Sequence, residues 1–262
     1  MSTVTSPDGT VIDYDRVGEG PTVIFIVGAS AFRAIDENTT RAAHMLADEG
    51  FTAVTYDRRG RGRSTDTKPW AVEREAEDVA ALIGEVGGPA TLYTSSSGAT
   101  VALAAVAAGV DINALALYEP PFVRVDHTEH LATLHALIAE GKNAEAMHYN
   151  LATIIGVPAA VVEGMMKAPW WPIMITGAPT LPYDIGAVHD IGRDPDWPTR
   201  WANATMPTIV YSGDQTFPGL PEAADAVADA LPKATRRILP GQSHGPAPEA
   251  LVPVLAEFLR AI

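Results

Sequence analysis

Cysteine is absent from the 262 residues. Its absence excludes disulfides, thiolate metal sites and a cysteine nucleophile, and it fits a cytoplasmic chain. Basic residues are scarce, 18 Lys and Arg against 32 Asp and Glu, for a formal charge of −14. Such a surface repels phosphate backbones and anionic lipid, so neither a nucleic-acid nor a membrane partner is expected. The one basic cluster, Arg58, Arg59, Arg61 and Arg63 beside Asp57, reads as a turn after a strand, with anion binding the less favoured alternative. Long apolar runs are missing too. The longest small, apolar stretch, residues 99–110, is mostly alanine and too short to cross a bilayer. The opening residues, 1–9, have neither the basic start nor the apolar core of a signal peptide. No G-x-G-x-x-G or P-loop follows a predicted strand, so a dinucleotide or nucleotide cofactor is not expected. His127 and His130, with Asp126 and Glu129 beside them, find no convincing third ligand, so no metal is expected either.

What the chain does have is alternation. Residues 3–6 and 10–17 are β-prone and flank Asp8-Gly9, which predicts a hairpin with a primed turn. Residues 22–27 form a short continuous apolar run closed by Gly28, as expected of a buried parallel strand. Helix at 39–49, strand at 51–56, helix at 72–86, strand at 90–95, a helix of small residues at 98–108 and strand at 114–118 follow. Residues 122–202 break this rhythm, with helix-like segments at 129–140, 143–155 and 158–167 and then a stretch rich in tryptophan and proline. The alternation resumes with strands at 208–211 and 235–239 and helices at 221–230 and 248–262. The expected class is therefore α/β, a mostly parallel sheet flanked by helices. Its core comprises 1–121 and 203–262, interrupted by a helical insertion at 122–202.

The chemistry concentrates at one strand-to-helix turn. Thr94-Ser95-Ser96-Ser97-Gly98 links a strand to a helix rich in alanine. That is the setting of a nucleophile elbow, where a sharp turn requires small neighbours and a helix close to the sheet. The frame selects Ser96, two residues before Gly98, over Ser95 and Ser97. The N–H of Ser97, at the helix start, is then placed to bind an oxyanion. Thr94 stands where the motif has its first glycine.

This order of elements, with Val27-Gly28 after an early strand, the run from Asp57 to Ser64 after the next and Gly241-Gln242-Ser243-His244 after the last, resembles the α/β-hydrolase family. The resemblance covers essentially the whole core. It implies an α/β-hydrolase fold in which the insertion is a helical cap, the N–H of Ala29 is the second oxyanion donor and His244 is the general base. It also implies an acidic triad partner for the histidine in the frame Gly-x-x-Asp after the strand that follows the cap. Here that stretch reads Gly213-Asp214-Gln215-Thr216, so Thr216 holds the place and Asp214 lies two residues early. Glu119, the first residue past the strand next to the elbow strand, offers an alternative. The zearalenone-type lactone hydrolases, to which this region is loosely similar, also place a glutamate there. The expected triad is Ser96–His244–Glu119, with Asp214 as the competing acid.

The insertion carries many large apolar residues, which favours an apolar or aromatic acyl group over a charged one. Trp170, Trp171, Phe122 and Met166 are the expected substrate contacts. The reading is a cofactor-independent serine hydrolase for a small-molecule ester or lactone, acting as a monomer or homodimer. Cleavage of C–C or amide bonds on the same scaffold is one alternative, and a non-catalytic ligand-binding member of the fold is another. Epoxide and haloalkane hydrolysis are disfavoured, because they need an aspartate where Ser96 stands.

Overall fold

The computed structural model describes residues 2–201 and 204–262. The expected end of the insertion, at 202/203, lies outside the described residues. Strands β1 (Ser2–Thr5) and β2 (Val11–Val17) pair antiparallel, with Thr5 opposite Val11. The turn between them is not the primed turn that Asp8-Gly9 suggests. The Gly9 N–H donates to the Ser6 carbonyl and the Ser6 N–H to the Thr10 carbonyl, so the loop is Pro7-Asp8-Gly9, with Gly9 at φ +86°. A primed turn on Asp8-Gly9 would need Pro7 to donate an N–H to Thr10, which proline lacks, whereas its φ near −65° suits the first central position of a type I turn followed by a left-handed glycine.

Strands β3 (Thr22–Ile26), β4 (Thr52–Tyr56), β5 (Ala90–Ser95), β6 (Ile112–Tyr118), β7 (Thr208–Gly213) and β8 (Ala234–Leu239) complete the sheet. Among the described residues it has eight strands in the order β1-β2-β4-β3-β5-β6-β7-β8. It is parallel from β4 to β8 and antiparallel at the β1–β2–β4 edge. Helices α1 (Glu37–Asp48), α2 (Val72–Val86) and α3 (Gly98–Ala107) join the strands up to β6. Between β6 and β7 lie α4 (Thr128–Ala139), α5 (Asn143–Tyr149), α6 (Ala159–Met166), α7 (Trp171–Met174), α8 (Leu181–Arg193) and α9 (Trp197–Arg200). After β7 comes α10 (Leu220–Ala230), and α11 (Pro248–Arg260) follows β8. No helix among the described residues is long and apolar enough to cross a membrane.

Alternate strand residues face opposite layers. Ile24, Ile26, Leu92, Leu115, Leu117 and Val210 pack with residues of α2, α3 and α10. Val23, Phe25, Tyr93, Ala116, Ile209 and Tyr211 pack with α1 and α11. Both faces are covered, which is why these strands read as continuous apolar runs. From β3 the chain turns to β4 on one side and later reaches β5 on the other. The crevice at the carboxyl ends of β3 and β5 is thus the switch point at which open α/β sheets place their ligands.

The segment between β6 and β7 builds its own core from Leu134, Met147, Leu151, Val162, Trp171, Met174, Leu181 and Ile185. The single helix expected over 143–155 is interrupted: α5 ends at Tyr149 and a π-helical turn runs Asn150–Ile155, closed by Gly156 at φ +80°. Widened turns of this kind recur at functional sites, and this one directs Ile154 and Ile155 into a cleft.

A buried ionic network joins this segment to the sheet. The turn after β4 forms where expected, but the guanidinium groups of Arg58, Arg59 and Arg61 point inward and are held by protein acceptors, which leaves no basis for anion binding by these three. Arg59 meets Asp78 and Asp8, each at 2.8 Å. Arg58 makes a bidentate pair with Glu75 at 2.6 and 2.7 Å and reaches Asp184 of α8 at 2.7 Å. Arg61 pairs with the other oxygen of Asp184 and donates to Thr180 Oγ1 at 2.9 Å. Arg58 and Arg61 also donate to the carbonyls of Val27 and Gly28, in the loop after β3. Burial alone would raise the pKa of Asp184, but the two adjacent guanidinium groups outweigh it and hold the carboxyl below its ordinary value.

Asp184→Asn should leave two buried cations facing one carboxylate. The expected cost is about 3–5 kcal/mol, read from urea unfolding at pH 7. A carboxyl whose folded pKa lies below its unfolded value of about 3.9 contributes fully above that value and loses the contribution as pH falls through the folded one. The gap between wild type and variant should therefore be full at pH 7 and narrow below about pH 4. A loss under 1 kcal/mol at pH 7 would show that the network is not a structural joint.

Candidate active site

Ser96 follows β5 with φ +52°, left-handed for a residue that is not glycine, at a strain of about 1–3 kcal/mol. The surroundings impose it. The Ser96 N–H is held by the Tyr118 carbonyl at 2.9 Å, and its own carbonyl accepts from the Ala99 N–H as α3 begins. A Cβ on Gly98 would lie 2.4 Å from the Ile26 carbonyl oxygen, so only glycine lets α3 start this close to β3. The three consecutive serines separate by role. Ser95 Oγ accepts from the Gly28 N–H at 3.2 Å, and Ser97 Oγ donates to Asp184 Oδ1 at 2.7 Å. Ser96 lines the cleft at the switch point, together with Ala29, Ser97 and His244.

The amides of Ala29 and Ser97 donate to no protein acceptor among the described residues. The loop that carries Ala29 is held by the Arg58 and Arg61 contacts to Val27 and Gly28, and by Asn150 Nδ2, which donates to Ser30 Oγ at 3.2 Å. Ser30 is itself left-handed, at φ +64°.

Glu119 is fully buried and also left-handed, at φ +48°. Its N–H donates to the Tyr211 carbonyl, which turns the side chain across the end of β7. Oε1 accepts from the Gly213 N–H at 2.8 Å, and Oε2 accepts from Thr216 Oγ1 at 2.8 Å. Oε2 also lies 2.6 Å from His244 Nδ1. Thr216, which stands where the resemblance expects an acid, thus supplies a donor to the acid instead. Asp214 turns the other way, is exposed and accepts from the Gly241 N–H at 2.6 Å, shaping the loop that leads to His244. That loop presses on β7 so closely that a Cβ on Gly213 would fall 1.9 Å from the Gln242 carbonyl oxygen. Phe217 sits edge-on to the His244 ring, with centroids 5.6 Å apart.

The cleft has a volume of about 190 Å³. Its apolar wall is mostly aliphatic, with Val123, Ile154, Ile155, Ile185 and Val188 from the insertion and Leu220 from the segment after β7, and Phe217 adds one aromatic ring beside His244. None of the four expected substrate contacts lines it. Trp171 is buried in the insertion's own core. Phe122 packs against Trp197 and Trp201 on the α2–α3 side of the sheet, with ring centroids 6.0 and 5.0 Å away. Trp170 and Met166 are exposed. Trp171 and Phe122 fill gaps between packed elements, and the insertion gives the cleft β-branched residues instead. Leu181, Ile185 and Val188 repeat at helical spacing from a start marked by Pro182, and that pattern marks α8 and its inward face in the sequence. Among the described residues no group of three or more His, Asp or Glu side chains is arranged to hold a metal ion.

The chain matches the model of the alpha/beta hydrolase family over residues 23–255. A non-heme haloperoxidase of Rhodococcus erythropolis is 25% identical to it, over 94% of this chain and 93% of that protein. The crystal structure of an alpha/beta hydrolase from Sphaerobacter thermophilus is 41% identical, with a TM-score of 0.89, over 98% of this chain and 100% of that one. A thermophilic esterase from Thermogutta terrifontis shares the fold at a TM-score of 0.71 and 22% identity, over 99% and 98% of the two chains. With its sheet order, its elbow and a family match that spans nearly the whole length, the chain belongs to the alpha/beta hydrolase family.

Proposed function

We propose that the protein is a serine hydrolase that cleaves a small carboxylic ester or lactone through an acyl-enzyme on Ser96. The 2.6 Å contact between Glu119 Oε2 and His244 Nδ1 carries this reading. A buried carboxylate that accepts from Nδ1–H leaves Nε2 as the basic nitrogen and stabilises the imidazolium formed when it takes the proton of Ser96. Ser96 Oγ then attacks the carbonyl carbon, and the amides of Ala29 and Ser97 bind the oxyanion. Collapse expels the alcohol, protonated by His244, and water activated by the same histidine releases the acid.

The cleft restricts the substrate. A volume of about 190 Å³ is close to that of a cavity that takes up benzene, about 150 Å³, so the enclosed part suits a short chain or a single ring rather than a macrocycle. Its apolar wall favours an apolar group there, and the helical insertion acts as a cap that supplies most of that wall.

A fluorophosphonate should label the wild type at Ser96 and leave Ser96→Ala unlabelled. A panel of p-nitrophenyl esters and aryl lactones should show a loss on the order of 10⁴–10⁶ in kcat for Ser96→Ala with unchanged unfolding. An unlabelled wild type would favour the ligand-binding alternative. Glu119→Gln should cost on the order of 10²–10⁴ in kcat, because an amide nitrogen facing Nδ1 enforces the wrong tautomer. Asp214→Asn should alter kcat by less than about threefold while weakening the bond to Gly241, at a stability cost of about 1 kcal/mol. The reverse ranking would move the acid role to Asp214.

A further inference from the structure

His127 breaks the pattern of the cleft wall. It caps α4 and lines the cavity that also holds Ser96 and His244, among the apolar Val123, Ile185, Val188 and Phe217. The residue is only 9% exposed, and its Nδ1 is buried with no hydrogen-bond partner among the described residues. The other polar side chains of the lining are already accounted for. Asp184 is held by Arg58, Arg61 and Ser97, while Ser96 and His244 belong to the proposed reaction. The histidines near His127 are engaged as well: His189 Nδ1 accepts from the His127 backbone N–H at 3.0 Å, and His130 Nδ1 lies 2.8 Å from the Tyr149 hydroxyl. The His127 carbonyl accepts from the Leu131 N–H at 2.8 Å, so its backbone is clamped on both sides while ring Nδ1 makes no hydrogen bond.

We propose that His127 is the polar anchor of the substrate subsite, and that the enzyme acts on esters or lactones whose enclosed group carries a hydroxyl or phenol remote from the scissile carbonyl. This rests on the serine-hydrolase reading and narrows its substrate class. A buried, unpaired imidazole nitrogen is unfavourable, and a ligand group that satisfies it is favoured over an apolar group of the same shape. Burial lowers the His127 pKa, and the neighbouring His130 and His189 act in the same direction, against Asp126. At neutral pH the ring is therefore uncharged, with one N–H and one lone pair. A hydroxyl both donates and accepts, so it can serve either nitrogen. A carboxylate would find no cation here, because Arg58 and Arg61 are already bound to Asp184.

The test compares p-nitrophenyl 4-hydroxyphenylacetate with p-nitrophenyl phenylacetate. The wild type should favour the hydroxylated ester by about 10-fold or more in kcat/KM. His127→Phe should bring the ratio close to one, and His127→Gln, which keeps a polar tip, should restore part of it. A ratio that is the same in wild type and His127→Phe overturns the proposal. A second measurement does not depend on turnover. Ser96→Ala should bind 4-hydroxyphenylacetamide about 10-fold or more tightly than phenylacetamide by calorimetry, with the His127 ring nitrogens shifting in the NMR spectrum. Equal binding of the two amides overturns the inference even if no ester is hydrolysed. Loss of hydrolysis with the binding preference intact would instead overturn the serine-hydrolase reading alone.

Discussion

Two guanidinium groups without access to water have to be neutralised from inside the protein, and that requirement organises the end of the molecule where the cleft lies. Asp184 meets it from α8 by giving one oxygen to Arg58 and the other to Arg61, while Glu75 completes the charge balance from α2. The same two arginines hold the carbonyls of Val27 and Gly28, and the same aspartate accepts from Ser97. One neutral, fully bonded cluster therefore fixes the insertion, the loop after β3 and the start of α3 relative to one another. These are the segments that carry Ala29 and Ser97, whose amides have to converge on one oxygen atom for the proposed chemistry.

Backbone strain collects in the same region. Ser30, Ser96 and Glu119 are left-handed without being glycine, and all three lie just past the carboxyl ends of central parallel strands. Conformations of this cost persist only where the surroundings over-determine them. Here hydrogen bonds to Tyr118 and Tyr211 and the close approach of Gly98 to Ile26 do so. The result is a set of side chains aimed out of the sheet from rigid elements, which removes reorganisation from the chemical step. The wall opposite is apolar apart from His127, which under the proposed reading gives binding one hydrogen bond in a surface that otherwise selects by shape.

Much of the core was legible because its signals are local. Strand and helix alternation follows from runs and periods of a few residues, and these place the strands within a residue or two of their positions. The elbow is also local: Gly98 and the alanines after it are there because α3 starts against β3. Asp8-Gly9 alone suggests a two-residue turn, but Pro7 has no N–H to close it, so the closing pair moves out to Ser6 and Thr10. The insertion was the least legible part. Its helices bury their faces against each other as much as against the sheet, so size and hydrophobicity did not reveal which residues face the cleft. Trp171 and Phe122 are core residues, whereas Ile154 faces the cavity because a π turn rotates it there.

The sequence by itself determined the succession of strands and helices along the chain, the position of Ser96 at a sharp turn, the lack of any thiol and the acidic surface. Each of these depends on residue identity or on neighbours along the chain. Only the tertiary structure decided which carboxylate reaches His244. Glu119 and His244 are brought together because β6 and β7 lie side by side and the last loop packs against Gly213. It also decided that the arginines after β4 turn inward, since their main partner, Asp184, sits on a helix of the insertion that folds back over the sheet. Both outcomes depend on distances between segments far apart in the chain, and no local pattern of residues encodes such distances.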